Sequence, residues 1–307
     1  MAALKPGTID VKTGGTSIVL IPLKEGMKAG EKREWPISFT EASLKEGKLT
    51  SNLQLHITSG NDRWVDSLEI QTIEYAHIPT QRYFSPVNLS LLHIDFVKKG
   101  NRLGYIKGAG DKVPEGLKQM GYEVDFLSEK DLTAVNLKQY DVVMTGVRAY
   151  NTNDYWANAY PEIMKYIENG GNYVVQYNTA SFLGPMKSSM SPYPLQVTRN
   201  RITKEEAKPN FLLPNHALLN SPNKITEKDF NDWIQERSIY TAETNDSHFE
   251  FPLGFSDPTE MENKGNIAVT KYGKGQFIYT GLVFFREIPA GVPGAFRLLA
   301  NLLAKPE

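Results

Sequence analysis

Three short polar clusters each follow an apolar run: Gly108-Ala-Gly110-Asp111, Gly146-Val-Arg148-Ala-Tyr150-Asn151 and Gln176-Tyr177-Asn178-Thr179. If those runs are parallel strands, the clusters lie at their carboxyl ends, where open α/β sheets bind ligands. The first cluster joins glycines to a helical pattern. It can hold an anion on backbone N–H groups, or simply turn the chain tightly. It is not a dinucleotide fingerprint, because the third glycine is missing. Arg148 is the most suggestive single residue. A guanidinium at the mouth of a buried strand needs an acid, a carbonyl or a ligand, and Asp111 and Glu236 are the internal acids available.

Trp233-Ile-Gln235-Glu236-Arg237 adds a second polar group, either a structural ion network or part of the site, and Arg286-Glu287 can join it. Arg199 and Arg201 are expected to point inward from a lid. Tyr150 and Tyr177 offer stacking faces. The candidate ligand contacts are therefore Gly108, Gly110, Asp111, Arg148, Tyr150, Asn151, Gln176, Tyr177, Asn178, Arg199, Arg201, Glu236 and Arg237. Such a clamp suits a hydroxyl-rich or carboxylate-bearing glycan fragment. With Asp111, Arg148 and Glu236 as acid, clamp and base, the same residues would make a hydrolase or isomerase acting on a sugar-derived substrate.

Other chemistries lack their residues. There is no cysteine, which removes disulfides, thiolate zinc sites and cysteine nucleophiles together. His56, His77, His93, His216 and His248 show no metal-ligand spacing, so no metal and no cofactor are expected. Ser181 lacks the flanking glycines of a nucleophile elbow. With 34 basic and 35 acidic residues the formal net charge is -1, which gives no electrostatic reason to bind nucleic acid. No run of 18 apolar residues exists, so no transmembrane segment is expected. The opening Met1-Ala-Ala-Leu-Lys-Pro-Gly7 does not read as a secretory leader. The chain is expected in the cytoplasm, or in the periplasm or outside the cell if it is a fragment of a longer exported protein.

Two kinds of element must position these residues. Residues 1–100 read as an all-β sandwich module. Thr8–Lys12 and Thr16–Ile21 flank a Thr13-Gly14-Gly15 turn, and Thr50–Ile57 alternates. The apolar phase switches between Leu68–Thr72 and Ile73–Tyr75, which predicts a bulge or a strand that changes sheet. Residues 78–100 look like a connection. From 101 to 307 strand and helix alternate, which predicts a parallel sheet covered on both faces. Strands are expected at Leu103–Ile106, Val124–Leu127, Asp141–Gly146, Asn172–Tyr177, Ile267–Lys271 and Gln276–Thr280. Helices are expected after Asp111 as N-cap, at Trp156–Glu168, after the capping box Thr226-Glu-Lys-Asp229, and at Gly294–Leu303. Residues 184–225 are too apolar for a flexible linker and read as an ordered insertion able to fold over the crevice.

The α/β half resembles class I glutamine amidotransferase-like domains, including the trehalose-utilisation (ThuA-like) branch. Tyr140-Asp-Val-Val-Met-Thr-Gly146, Tyr166-Ile-Glu-Asn-Gly-Gly-Asn-Tyr-Val-Val175 and Tyr272-Gly-Lys-Gly-Gln-Phe-Ile-Tyr279 carry the resemblance. It implies a flavodoxin-like three-layer domain. In active members a cysteine follows the strand that here runs into Tyr177. Asn178-Thr179 stand in its place, so amidotransferase activity should be absent. Longer stretches include Tyr105–Asp111, Val175–Asn178, Ser191–Pro194, Asp232–Arg237 and Phe284–Phe296. They resemble the C-terminal region of large bacterial proteins of the LmbE/PIG-L deacetylase family. That resemblance implies an accessory or glycan-binding region with an amino-sugar ligand. A zinc deacetylase domain, covalently linked or separate, would be its partner. The His-Pro-Asp-Asp-type zinc motif of the catalytic domain does not occur in this sequence.

Overall fold

The computed structural model describes residues 3–35, 47–182 and 184–305. Met1 and Ala2 of the opening segment lie outside the described residues. The chain divides into two units, Met1–Ile94 and Asp95–Glu307. It is mixed α/β, with several sheets.

The first unit is built from β1 (Gly7–Thr13), β2 (Thr16–Leu23), β3 (Gly47–Ser59), β4 (Asp62–Asp66), β5 (Leu68–Ile73), β6 (Gln81–Pro86) and β7 (Asn88–His93). β1 and β2 form a hairpin around Gly14 and Gly15, whose φ angles of 54° and 83° meet the demand of a two-residue turn. β3 is the hub, pairing with β1 and β4 through its second half and with β7 through its first. Ile9, Val11 and Leu23 are the buried centre, with Val19, Ile21, Leu53, Leu55 and Ile57 packed around them.

Two expectations change here. β5 and β6 pair in unbroken register from Leu68↔Pro86 to Ile73↔Gln81, so the phase switch marks the end of a strand and not a bulge. The register break of this unit lies between Val11 and Lys12 instead. Residues 78–100 are not a plain connection either, because they contain β6 and β7. The reason is shared. The β5–β6 ribbon leaves Leu68, Ile70, Tyr83 and Phe84 exposed, so no buried face imposes an alternating pattern.

The second unit carries β8 (Arg102–Ile106), α1 (Val113–Gln119), β9 (Glu123–Leu127), α2 (Ala134–Leu137), β10 (Val142–Thr145), α3 (Ala149–Thr152), α4 (Trp156–Glu168) and β11 (Asn172–Gln176). A long irregular segment comes next. It holds β12 (Gln196–Val197), β13 (Arg201–Ile202), β14 (Asn210–Phe211), α5 (Ala217–Asn220), β15 (Ser238–Ile239), β16 (Ala242–Glu243) and β17 (Leu253–Gly254). These short strands pair as β12–β16, β13–β15 and β14–β17. The unit closes with β18 (Ile267–Tyr272), β19 (Gly275–Thr280), α6 (Phe284–Ala290) and α7 (Pro293–Leu303). The capping box at Thr226 opens a single 3-10 turn, Glu227–Phe230, and not the expected helix. Trp233 bonds back to the Asp229 carbonyl, and Asp232 and Gln235 take positive φ, which no continuing helix allows.

The main sheet has the order β18-β19-β11-β10-β8-β9. All neighbours are parallel except β18 against β19. In chain order the parallel strands lie 2-1-3-4-5, so the order reverses between β8 and β10, and such a reversal opens a crevice at the carboxyl ends. One face, with Ile106, Val143, Tyr173, Val175, Phe277 and Tyr279, packs on α2 and α4 through Leu137, Trp156, Ile163 and Ile167. The other lies under α7: the Asn172 amide donates to the Leu302 and Ala304 carbonyls at 3.0 Å each, and Gln276 donates to Ala304 at 3.3 Å. Among the described residues, no helix is long and apolar enough to cross a membrane.

Asn301, fully buried in α7, anchors the segment around α5. Its amide donates to the Leu218 and Asn223 carbonyls at 2.9 and 2.7 Å, and its oxygen accepts the Asn223 backbone N–H at 2.9 Å. Buried groups stripped of such partners cost their full desolvation. Asn301→Ala is expected to lose roughly 2–4 kcal/mol in urea denaturation followed by circular dichroism. A loss below about 0.5 kcal/mol would mean that these bonds are redundant.

Candidate functional site

At the carboxyl ends of the strands, the three loops are stitched to one another before they can meet anything else. Asp111 accepts the Tyr105 hydroxyl at 2.7 Å and the Val113 N–H at 3.0 Å on one oxygen, and the Val147 N–H at 3.1 Å on the other. Lys112 holds the N-cap position of α1, but the Asp111 side chain supplies the bond. The Asn151 amide spans to the third loop, accepting Thr179 N–H at 2.8 Å and donating to Thr179 and Gly184 carbonyls at 3.0 and 2.9 Å. Asn178 accepts the Tyr150 N–H at 2.9 Å and donates to the Gln176 carbonyl at 3.0 Å.

The backbones run too close for side chains. A Cβ on Gly108 would stand 2.1 Å from the Val147 oxygen, and one on Gly146 would stand 2.9 Å from an Asp111 carboxylate oxygen. Gly110, at φ 105°, turns the chain where nothing crowds it.

Arg148 takes a left-handed backbone, φ 59°, with its N–H donated to the Tyr177 carbonyl at 2.8 Å. Non-glycine residues held there are uncommon and cluster at binding sites. Gln235 and Tyr240 share the conformation, at φ 68° and 52°. Arg148 and Tyr240 flank Tyr177. Its ring stacks on Tyr240 with centroids 5.9 Å apart and tilts against Phe285 at 5.1 Å. Burial raises its hydroxyl pKa, while the nearby Arg148 and Arg286 guanidinium groups pull it back down. Glu236, 3 % exposed, pairs with both Arg201 and Arg286, the latter at 3.2 Å, and Gln235 accepts a further bond from Arg286. Three buried side-chain atoms in this neighbourhood have no partner among the described residues: Arg148 Nε, Arg286 Nε and Gln176 Oε1. Gln176 spends its amide nitrogen on the Tyr105 hydroxyl at 2.9 Å and the Thr145 carbonyl at 3.1 Å.

The structure thus brings together Arg148, Tyr177, Arg201 and Glu236, with Gln176 one residue before Tyr177. It sends other candidates elsewhere. Tyr150 is not a stacking face for a ligand. It is 1 % exposed, stacked on Trp156 at 3.9 Å and bonded to the Tyr173 hydroxyl at 2.8 Å. Arg237 turns away to the Ala207 and Phe230 carbonyls, over the Phe230 and Trp233 rings, and desolvation pushes its pKa down to about 10. Arg199 is exposed and grips the Ala180 carbonyl at 3.0 Å, fastening the irregular segment to the third loop and not pointing inward. Tyr240 and Phe285 are not legible in the sequence as site residues, because single aromatic residues far apart in the chain carry no local signal. Among the described residues, no group of three metal-ligating side chains exists.

No family model matches this chain, and no curated protein matches it. Solved structures do resemble it. A cytoplasmic protein of Salmonella typhimurium is 15 % identical over 84 % of this chain and 95 % of its own, with a TM-score of 0.43. A second cytoplasmic protein, of Salmonella typhimurium LT2, is 13 % identical over 67 % of this chain and all of its own, at 0.46. A protein of Bacteroides uniformis described as ThuA-like is 14 % identical over 68 % of this chain and 92 % of its own, at 0.39.

Glu287 lies one residue beyond Arg286, fully buried, and accepts the Ile234 N–H at 3.1 Å. Desolvation pushes its carboxyl up to about 7 from an ordinary 4.5. Between these values the folded chain holds a proton that the unfolded chain has released. Stability therefore falls as pH rises through that window, and the penalty is complete above it. Glu287→Gln keeps an acceptor for Ile234 and removes the charge. It is expected to be more stable than the parent by about 1–3 kcal/mol at pH 8, with the gap shrinking toward pH 5. Urea titrations at the two pH values check this; an equal gap at both would remove Glu287 as the cause.

Proposed function

We propose that the crevice around Tyr177 binds a carboxylate-bearing, sugar-derived ligand without turning it over, as an accessory region beside a zinc deacetylase. The observation that carries this reading is the imbalance of charge. Arg148, Arg201 and Arg286 outnumber the buried carboxyl groups beside them, Glu236 and Glu287, and the buried Nε atoms of Arg148 and Arg286 have no partner among the described residues. A guanidinium wants a planar acceptor with two oxygens, and a carboxylate supplies it. Tyr177 and Tyr240, stacked on each other, give the crevice an aromatic wall, and the Gln176 oxygen, without a partner among the described residues, offers an acceptor for a hydroxyl.

In the same reading the α/β unit is a flavodoxin-like, amidotransferase-like three-layer domain, and the first unit is a β-sandwich module. The 2-1-3-4-5 strand order supports the former. The deacetylase association rests on the sequence stretches that resemble LmbE/PIG-L proteins. A hydrolase or isomerase working through Asp111, Arg148 and Glu236 is less well supported. Both Asp111 oxygens are committed to the fold, and Glu236 is held by two arginines.

Calorimetric titration with glucuronate, glucose and N-acetylglucosamine tests the reading. Glucuronate should bind in preference to glucose. Arg148→Ala should weaken it about ten- to a hundredfold, the loss of one charged hydrogen-bonding contact of roughly 1.5–3 kcal/mol. Equal affinity for the neutral sugar, or an unaffected Arg148→Ala, would sink the ligand assignment. Deacetylation of N-acetylglucosamine substrates by this chain with added zinc would sink the non-catalytic one.

A further inference from the structure

The amino end of the main sheet carries a second concavity, which the crevice does not use. It encloses about 500 Å³, within the range of small-molecule sites. Leu218, Val269 and Ala304 give it an apolar floor, and all three are buried. Lys99, Lys271 and Lys305 stand around it, with Glu250 as the acidic member. Gln276, near the start of β19, also lines it, whereas Tyr177 follows the far end of β11. At about 3.3 Å per strand residue, the two places are separated by roughly the length of the sheet.

We propose that this cavity is a binding site for a small monocarboxylate with an apolar body. Three ammonium groups against one carboxylate favour an anion. Lys305 also pairs with Asp141 at 3.3 Å, so part of its charge is already answered. Lys271 has no ion pair among the described residues and is exposed at the rim. His216 is held between two neighbours: its Nδ1 accepts the Leu218 N–H at 3.1 Å and its Nε2 lies 2.9 Å from Glu250. The Glu250 carboxylate in the lining disfavours a dianion such as phosphate. The apolar floor rewards a hydrocarbon or aromatic body, since buried apolar area stabilises at about 25 cal/mol per Å². This inference is independent of the reading of the crevice.

The test is a titration of the full chain with benzoate and hexanoate, with benzamide as the neutral isostere and inorganic phosphate as the dianion, followed by ligand-observed NMR and calorimetry. Both carboxylates should bind saturably, and benzamide and phosphate at least tenfold more weakly. Lys271→Ala should weaken benzoate about tenfold. Ala217→Trp, at an exposed lining position, should fill the mouth and abolish binding. Both substitutions lie on the surface, and melting temperatures within about 3 °C of the parent would show that the fold is kept. The titration is repeated in Arg148→Ala, which removes carboxylate binding at the crevice; saturable benzoate binding that survives there, and is lost when Ala217→Trp is added, belongs to this site. Benzamide binding as well as benzoate, benzoate affinity unmoved in Lys271→Ala and Ala217→Trp, or no carboxylate binding up to about 10 mM would each overturn the proposal.

Discussion

Where parallel strands stop, their backbone N–H groups lose their partners and must find others or pay for burial. This constraint shapes the whole carboxyl end of the sheet. Asp111, Asn151 and Asn178 answer it with their side chains, each bonding a loop that is not its own. The close backbone approach at Gly108 and Gly146 is one result, and the left-handed turn at Arg148 that passes its N–H to Tyr177 is another. With the loops tied together, Tyr177 and Arg148 are left beside the chain that returns through Gln235–Tyr240. The polar residues that look most like ligand contacts are largely consumed by the fold. The charged ones behind them are not.

The amino end solves the same problem with buried amides. Asn172, Gln276 and Asn301 carry α7 and the segment around α5 on side-chain bonds to main-chain carbonyls. Amides serve where no net charge can be tolerated, because a buried unpaired charge costs far more than a satisfied dipole. The two ends therefore differ in the charge they present. One sets guanidinium groups around aromatic rings, and the other sets ammonium groups around an apolar floor.

Much of the second unit is legible in the sequence because its strands and helices bury one consistent face. Trp156–Glu168 and Asn172–Gln176 sit where their periodicity puts them, since Trp156, Ile163, Ile167, Tyr173 and Val175 all enter one core. The failures have equally physical causes. Strand β6 looks like a connection because the exposed β5–β6 ribbon has no inside. The segment after Thr226 carries a genuine capping box, but positive φ at Asp232 and Gln235 stops the helix after one turn, and no local propensity announces that. Within the site, residue type points to Arg148, Tyr177 and Glu236. It cannot say that Tyr150 and Arg237 face inward, because direction is decided by neighbours such as Trp156 and Phe230 that are fixed only when the chain has folded.

The resemblance to amidotransferases implies a cysteine where Asn178-Thr179 stand in this sequence, and Asn178 is bonded into the fold. Its side chain holds the Tyr150 N–H of the neighbouring loop and ties its own loop back to Gln176. A cysteine installed at that point would have neither the reach nor the amide to keep those bonds. The amide thus acts as a keystone between two loops. Any exchange at this position loosens both walls of the crevice at once, so the shape of the crevice and the stability of its rim rest on one side chain.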